Sequence, residues 1–134
     1  MSITGAIAAS GLNAASLRLQ VSASNVANAL SDGPLPGSPE AANFPRAYAP
    51  LRLEQTEAAG SGTRARVGTV SPGYVAAFDP AAPYADANGL VARPNVNLAN
   101  ELIQQLMGRF ALTANAQVLR AGAQMTATLL DITI

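Results

Sequence analysis

The sequence predicts a mainly α fold, with long N- and C-terminal helices paired in a coiled-coil-like domain and a small irregular or short-β segment between them. Near the N-terminus, Ile3, Ile7, Ser10, Ala14, Leu17, Val21, Ser24 and Asn28 recur at alternating steps of four and three. Near the C-terminus, Leu98, Leu102, Gln105, Arg109, Leu112, Ala116, Leu119, Ala123, Thr126 and Leu130 do the same. Such a step averages about 3.5 residues, the rhythm of helices that wind around each other. Charge is the third observation. Only 12% of the residues are charged while 49% are hydrophobic, against a usual charged fraction of roughly a quarter. A surface so poor in charge is expected to be covered by other protein.

The first helix is expected from about Ile3 to Ala29, a stretch without Pro. A second series, Leu12, Ser16, Leu19, Ala23, Val26 and Leu30, repeats with the same spacing on a neighbouring face. A lone surface helix needs one apolar stripe, so two imply contacts on two sides. Ser31-Asp32-Gly33-Pro34 should stop the helix, with Gly33 free to turn left-handed and Pro34 unable to continue it. Residues 33–50 hold five prolines and read as a loop. Leu51–Leu53 and Ala65–Thr69 alternate around a turn near Ala58–Gly62, which predicts a short hairpin. Val75–Phe78 reads as another extended piece. Asn88-Gly89 is a favoured two-residue turn, here expected between Tyr84-Ala85 and Leu90-Val91. Pro94 ends the middle segment. Asn95 or Asn97 can cap the second helix, with Glu101 in its first turn, where the helix dipole favours an anion. That helix is expected from about Leu98 to Leu130, roughly 50 Å at 1.5 Å per residue, too long for a small domain to cover. Residues 1–32 and 95–134 should therefore form one discontinuous helical domain, with 33–94 outside it.

Composition narrows the chemistry. The chain has 134 residues, no Cys, no His and a net charge of zero, and all its basic residues are Arg. Thiolate nucleophiles, imidazole bases, Schiff-base lysines and the common zinc ligands are excluded together. Glu54 with Glu57 and Asp79 with Asp86 are the only paired carboxylates of note, and without a companion base they read as solvated loop charge. Arg64 and Arg66 in a neutral chain give no basic field for nucleic acid. No cofactor, metal or small-molecule substrate is expected, and the chain does not read as an enzyme. No run of apolar residues is long enough to span a membrane. The first basic residue is Arg18, so the start does not read as a cleaved secretory signal. An amphipathic membrane-surface protein would carry a cationic face, which residues 1–30 lack.

Two blocks of sequence carry a resemblance. Arg18-Leu19-x-Val21-x-Ala23-x-Asn25-Val26-Ala27-Asn28 resembles the N-terminal helix motif of bacterial flagellar rod and hook proteins. The stretch from Phe78-Asp79-Pro80 through Asp86-Ala87-Asn88-Gly89-Leu90-Val91, followed by Pro94-Asn95-Val96-Asn97, is similar to the region before the C-terminal helix in the proximal-rod branch of that family. Glu101, Ala114-Asn115 and Val118-Leu119 continue the pattern. The chain departs from it at Ala15, where the family usually has Gln, and at Phe110 and Leu112, where it usually has Arg and Tyr.

The resemblance implies a structural subunit that stacks helically with copies of itself and with other proximal and distal rod proteins, next to a membrane-ring or export-gate adaptor. It also implies a periplasmic rod that transmits torque, and type III export. Another short rod subunit of the same apparatus is the nearest alternative. On this reading Leu12, Leu17, Leu19, Val21 and Val26 are the packing candidates of the first helix. Leu98, Leu102, Leu106, Leu112, Leu119 and Leu130 are those of the second, with Pro94 before it. Asn25, Asn28, Asn95, Asn97 and Asn115 are the candidate polar fixers, because an Asn buried between helices sets their register.

Overall fold

A computed structural model describes residues 3–60 and 62–132, with side chains as far as Thr128. Helix α1 spans Ile3–Ala27 and helix α2 spans Leu98–Ile132. Between them lie strands β1 (Leu51–Ala58), β2 (Gly62–Thr69), β3 (Tyr74–Phe78) and β4 (Leu90–Pro94), and one 3-10 turn at Pro39–Ala42. Both long helices fall close to where the sequence places them. Helix accounts for a little under half of the chain, however, and the middle is more ordered than an irregular segment. It holds two two-stranded sheets, β1–β2 and β3–β4.

The ends of the helices follow from local bonding. The Asn28 amide donates to the Ser24 carbonyl at 2.9 Å, beside the Asn28 backbone N–H at 3.1 Å. The Ser24 carbonyl thus accepts two bonds, and the Asn28 side chain folds back on the last turn of α1. Gly33 does not act as the left-handed stop, since its φ is not positive. Its role is close approach: it exchanges two backbone hydrogen bonds with Ala92, at 2.9 and 2.8 Å. Asn97, rather than Asn95, caps α2, its Oδ1 accepting the N–H of Asn100 at 3.1 Å.

β3 and β4 are antiparallel, with Tyr74 opposite Pro94 and Phe78 opposite Leu90. Asn88-Gly89 does form a turn, and Gly89 has φ +74. The strand paired with β4 is nevertheless β3 and not Tyr84-Ala85. Residues 79–89 form a longer loop held by side chains. Asp79 accepts the N–H of Ala81, while Asp86 Oδ1 accepts the N–H groups of Leu90 at 2.8 Å and Asn88 at 2.9 Å. Asp86 is thus committed to the loop by two short bonds, and Asp79 contributes one oxygen. The bonds from Leu90 and Asn88 hold the Asp86 carboxyl below its usual range. A carboxyl depressed by folding stabilises above its unfolded pKa, near 4, and that contribution is lost as pH falls through the folded value. Amide exchange at Leu90 should therefore lose protection on acidification below about pH 4, faster than at Ala92 in the same strand.

The backbone divides into two compact units. One comprises Met1–Gln20, Leu53–Arg66 and Ile103–Ile134, and the other Val21–Arg52 and Val67–Leu102. Buried side chains in the first are small: Ala8, Ala14 and Ala15. In the second, Val91, Pro50, Ser22 and Asn25 are the largest fully buried side chains. An amide thus stands where an aliphatic core residue is usual.

Candidate assembly interface

In the second unit, Asn25 is the centre of a polar cluster. Its Nδ2 donates to the Leu51 carbonyl and to Glu101 Oε1, both at 2.8 Å. Its Oδ1 accepts from the Leu51 N–H at 2.9 Å and from the Tyr48 hydroxyl at 3.0 Å. An Asn side chain offers two donors and two acceptor sites, so all four are used at 2% exposure. One turn earlier, Ser22 donates to the Glu101 carbonyl at 2.9 Å. α1, the entry of β1 and the start of α2 are thus joined through one side chain. Leaving any of these groups unpaired in so dry a site costs about 1–3 kcal/mol, which explains an amide in place of a Leu.

In the first unit, α1 and α2 meet through small residues. A Cβ added to Gly108 would lie 2.9 Å from the end of Leu19 and 3.5 Å from the carbonyl of Ala15. A Cβ added to Gly11 would lie 2.5 Å from Asn115. Gly108 is itself buried. Gly in a helix interior is unfavourable by about 1 kcal/mol relative to Ala, so its presence reflects the close approach of the other helix. Arg18 crosses the same seam, donating to Gln104 at 2.5 Å and also to Gln55 of β1. The start of β2 rests on α1, with the Thr63 N–H donating to Ser10 at 3.1 Å.

The face α1 buries is therefore Ala8, Gly11, Ala15, Arg18, Ser22 and Asn25. It keeps the predicted steps of four and three but lies one residue along from the predicted stripe. Ile3 and Ile7 of that stripe are exposed, although Ala14 and Val21 are buried. The signal was present as the run of small residues Ala8, Gly11, Ala15 and Ser22. A count of large apolar residues passes over it. On α2 the contacting residues Glu101, Gly108 and Asn115 recur every seven.

The other candidate positions sort as follows. Leu12, Leu17, Leu19 and Leu119 are half-buried, and Val26 is exposed. Pro94 is buried at the end of β4. Asn95 donates to the Pro72 carbonyl at 3.0 Å and ties that strand end down. Asn28 and Asn115 donate to carbonyls of their own helices, Ser24 and Ala111. Leu130 lies outside the residues whose side chains are described. Leu98 and Leu102, in the second unit, and Leu106 and Leu112, in the first, are all exposed. Ile103, Leu106, Met107 and Phe110 form an apolar face in the first unit, with Leu106 57% and Phe110 78% exposed. At 100° per residue, Leu106 and Phe110 lie about 160° around α2 from Gly108. Tyr48, Ser22 and Gln104 were not singled out by sequence, because isolated polar residues in Ala-rich or Pro-rich stretches carry no periodic mark.

On α1 and α2, Ala8, Ala14, Ala15 and Gly108 are buried while Ile3, Ile7, Leu106 and Phe110 are exposed, which reverses the usual burial order. The described residues contain no cluster of His, Cys, Asp and Glu that could hold a metal, and no helix long and apolar enough to cross a membrane. No family model matches the chain. Curated proteins do. It is 33% identical to the flagellar basal-body rod protein FlgC of Agrobacterium fabrum over 98% of this chain and 94% of that protein. It is 34% identical to FlgC of Salmonella typhimurium over 89% of this chain and 87% of that protein. It is 36% identical to FlgC of Yersinia enterocolitica over 84% of this chain and 83% of that protein. The chain is thus a structural subunit of the bacterial flagellar basal body, not an enzyme. Within that class it belongs to the FlgC family of rod proteins.

Proposed function

We propose that this chain is a proximal-rod subunit whose α1 and α2 pair as a coiled-coil-like axial domain, built from residues 1–32 and 95–134, with 33–94 outside it. Copies stack helically with one another and with other proximal and distal rod proteins, next to a membrane-ring or export-gate adaptor. The rod lies in the periplasm, is exported without a cleaved signal peptide, and carries torque from the motor towards the hook. The observation that carries this reading is the exposed face of α2 at Ile103, Leu106, Met107 and Phe110. In a free chain that face exposes large apolar area. Covered by neighbouring helices it stabilises the assembly at roughly 25 cal/mol per Å². Contacts of this kind that do not close into a ring generate an open helical tube. Phe110, standing where the family usually has Arg, adds to the face.

Leu106→Asp separates folding from assembly. The side chain is more than half exposed, so the melting transition of the isolated chain should move by no more than about 0.5 kcal/mol. Rod assembly, measured by motility and by recovery of basal bodies, should be lost. A variant that assembles normally would refute the role given to this face.

A further inference from the structure

The second unit also contains an open cavity of about 260 Å³, lined by Pro34, Pro36, Ala47, Tyr48 and Tyr74, with Arg46 among its walls. Arg46 is exposed and pairs with no carboxylate among the described residues. Four described apolar side chains are exposed by more than two thirds: Ile3, Leu30, Phe78 and Phe110. Charge sorts them as occupants. Phe110 follows Arg109, of the same sign as Arg46. Ile3 has no acidic neighbour, and the carboxylate nearest Leu30, Asp32, is held by Arg93 at 2.8 Å. Phe78, 72% exposed, is followed directly by Asp79, whose carboxylate accepts the N–H of Ala81 through Oδ1 at 3.3 Å and lies within the field of Arg93 without the direct ion pair that Asp32 makes. The Phe78 ring lies close over Gly89, where an added Cβ would meet it at 2.9 Å, so its position is set by the hairpin.

Tyr74, in the cavity wall, is the first residue of β3, and Phe78 is the last. Four residue steps at about 3.3 Å put them roughly 13 Å apart. A copy cannot fill its own cavity with its own Phe78 across that rigid hairpin.

We propose that Phe78 of one copy seats in the Arg46 cavity of the next, with Asp79 facing Arg46. Knob and cavity lie on different parts of one surface, so the contact is heterologous and runs head-to-tail from copy to copy. The inference rests on the rod reading, in which copies of the chain are neighbours.

Introduced thiols give a clean test, because the chain has no Cys. Cells relying on the full chain for motility would co-express Ala49→Cys, in the cavity wall, and Ala81→Cys, in the loop after Phe78. They would then be treated with a short bismaleimide. The expected product is a heterodimer when both variants are present and no homodimer when either is expressed alone. Motile cells that yield no cross-link, or a homodimer from one variant, would overturn the contact. Should the thiol variants fail to assemble, charge reversal decides. Arg46→Asp and Asp79→Arg should each lower the motile fraction roughly tenfold, and the two together should restore it to within about twofold. A pair that fails to restore motility would overturn the contact. Cells that stay motile without the chain would instead sink the rod reading on which the contact depends.

Discussion

Asn25→Asp is expected to destabilise the chain by about 3–5 kcal/mol at neutral pH, against a total stability for most domains of about 5–15 kcal/mol. The change is nearly isosteric, so no cavity or overpacking contributes. What changes is polarity. The donors to the Leu51 carbonyl and to Glu101 Oε1, both at 2.8 Å, become a carboxylate oxygen that can only accept. One buried acceptor loses its partner, and two carboxylates are forced together. Like charges so close cannot both ionise without penalty, so the pair holds on to a proton. The deficit should therefore shrink as pH falls from 7 towards 5, the opposite of ordinary acid destabilisation. Denaturant titrations of the native chain and the variant at the two pH values would show it. Adding Glu101→Gln should recover part of the loss by restoring a donor opposite the new carboxylate. A pH-independent deficit, or no recovery in the double variant, would mean that the Asn25–Glu101 contact is not the controlling one.

Gly33→Ala is the second large effect. A Cβ there would lie 2.3 Å from the backbone N of Ala47 and 2.8 Å from both the Arg46 carbonyl carbon and the Pro45 oxygen. None of these atoms can turn away by changing a rotamer. One of the two segments must move, and Gly33 is fixed by its paired hydrogen bonds to Ala92. Relief on either side breaks bonds in a buried place. A loss of about 3 kcal/mol is expected, at or beyond the upper end of ordinary overpacking. It should register as a lower denaturation midpoint and as lost amide protection at Ala92. Gly108→Ala, by contrast, meets mainly the movable end of Leu19 and gains helix propensity, so it should be much milder.

The helices were legible because steps of four and three survive any choice of partner. Their limits were legible because Asn97 can cap and α1 runs into a turn before Pro34. The β1–β2 hairpin was legible from alternation on both sides of a Gly-rich turn. The buried face was shifted by one residue because hydrophobicity marks Ile and Leu, whereas close backbone approach selects Ala, Gly and Ser. Asn25 stood out as an amide among Ala and Val, but its partners Leu51, Tyr48 and Glu101 are distant in sequence and follow no period. The Asn88-Gly89 turn was recognised and its strand partner misassigned, because Asp79 and Asp86 organise a loop that local pairing rules do not anticipate.

The inverted burial of α1 and α2 bears on reversibility. A free chain held by alanines, glycines and a few hydrogen bonds keeps little apolar area out of water, so unravelling it takes modest work. In the proposed rod, where neighbours cover Leu106 and Phe110, extracting the same chain would expose all of that area at once. Entry into the structure is then easy and exit is slow. Such a subunit behaves as a one-way latch whose grip exists only in company.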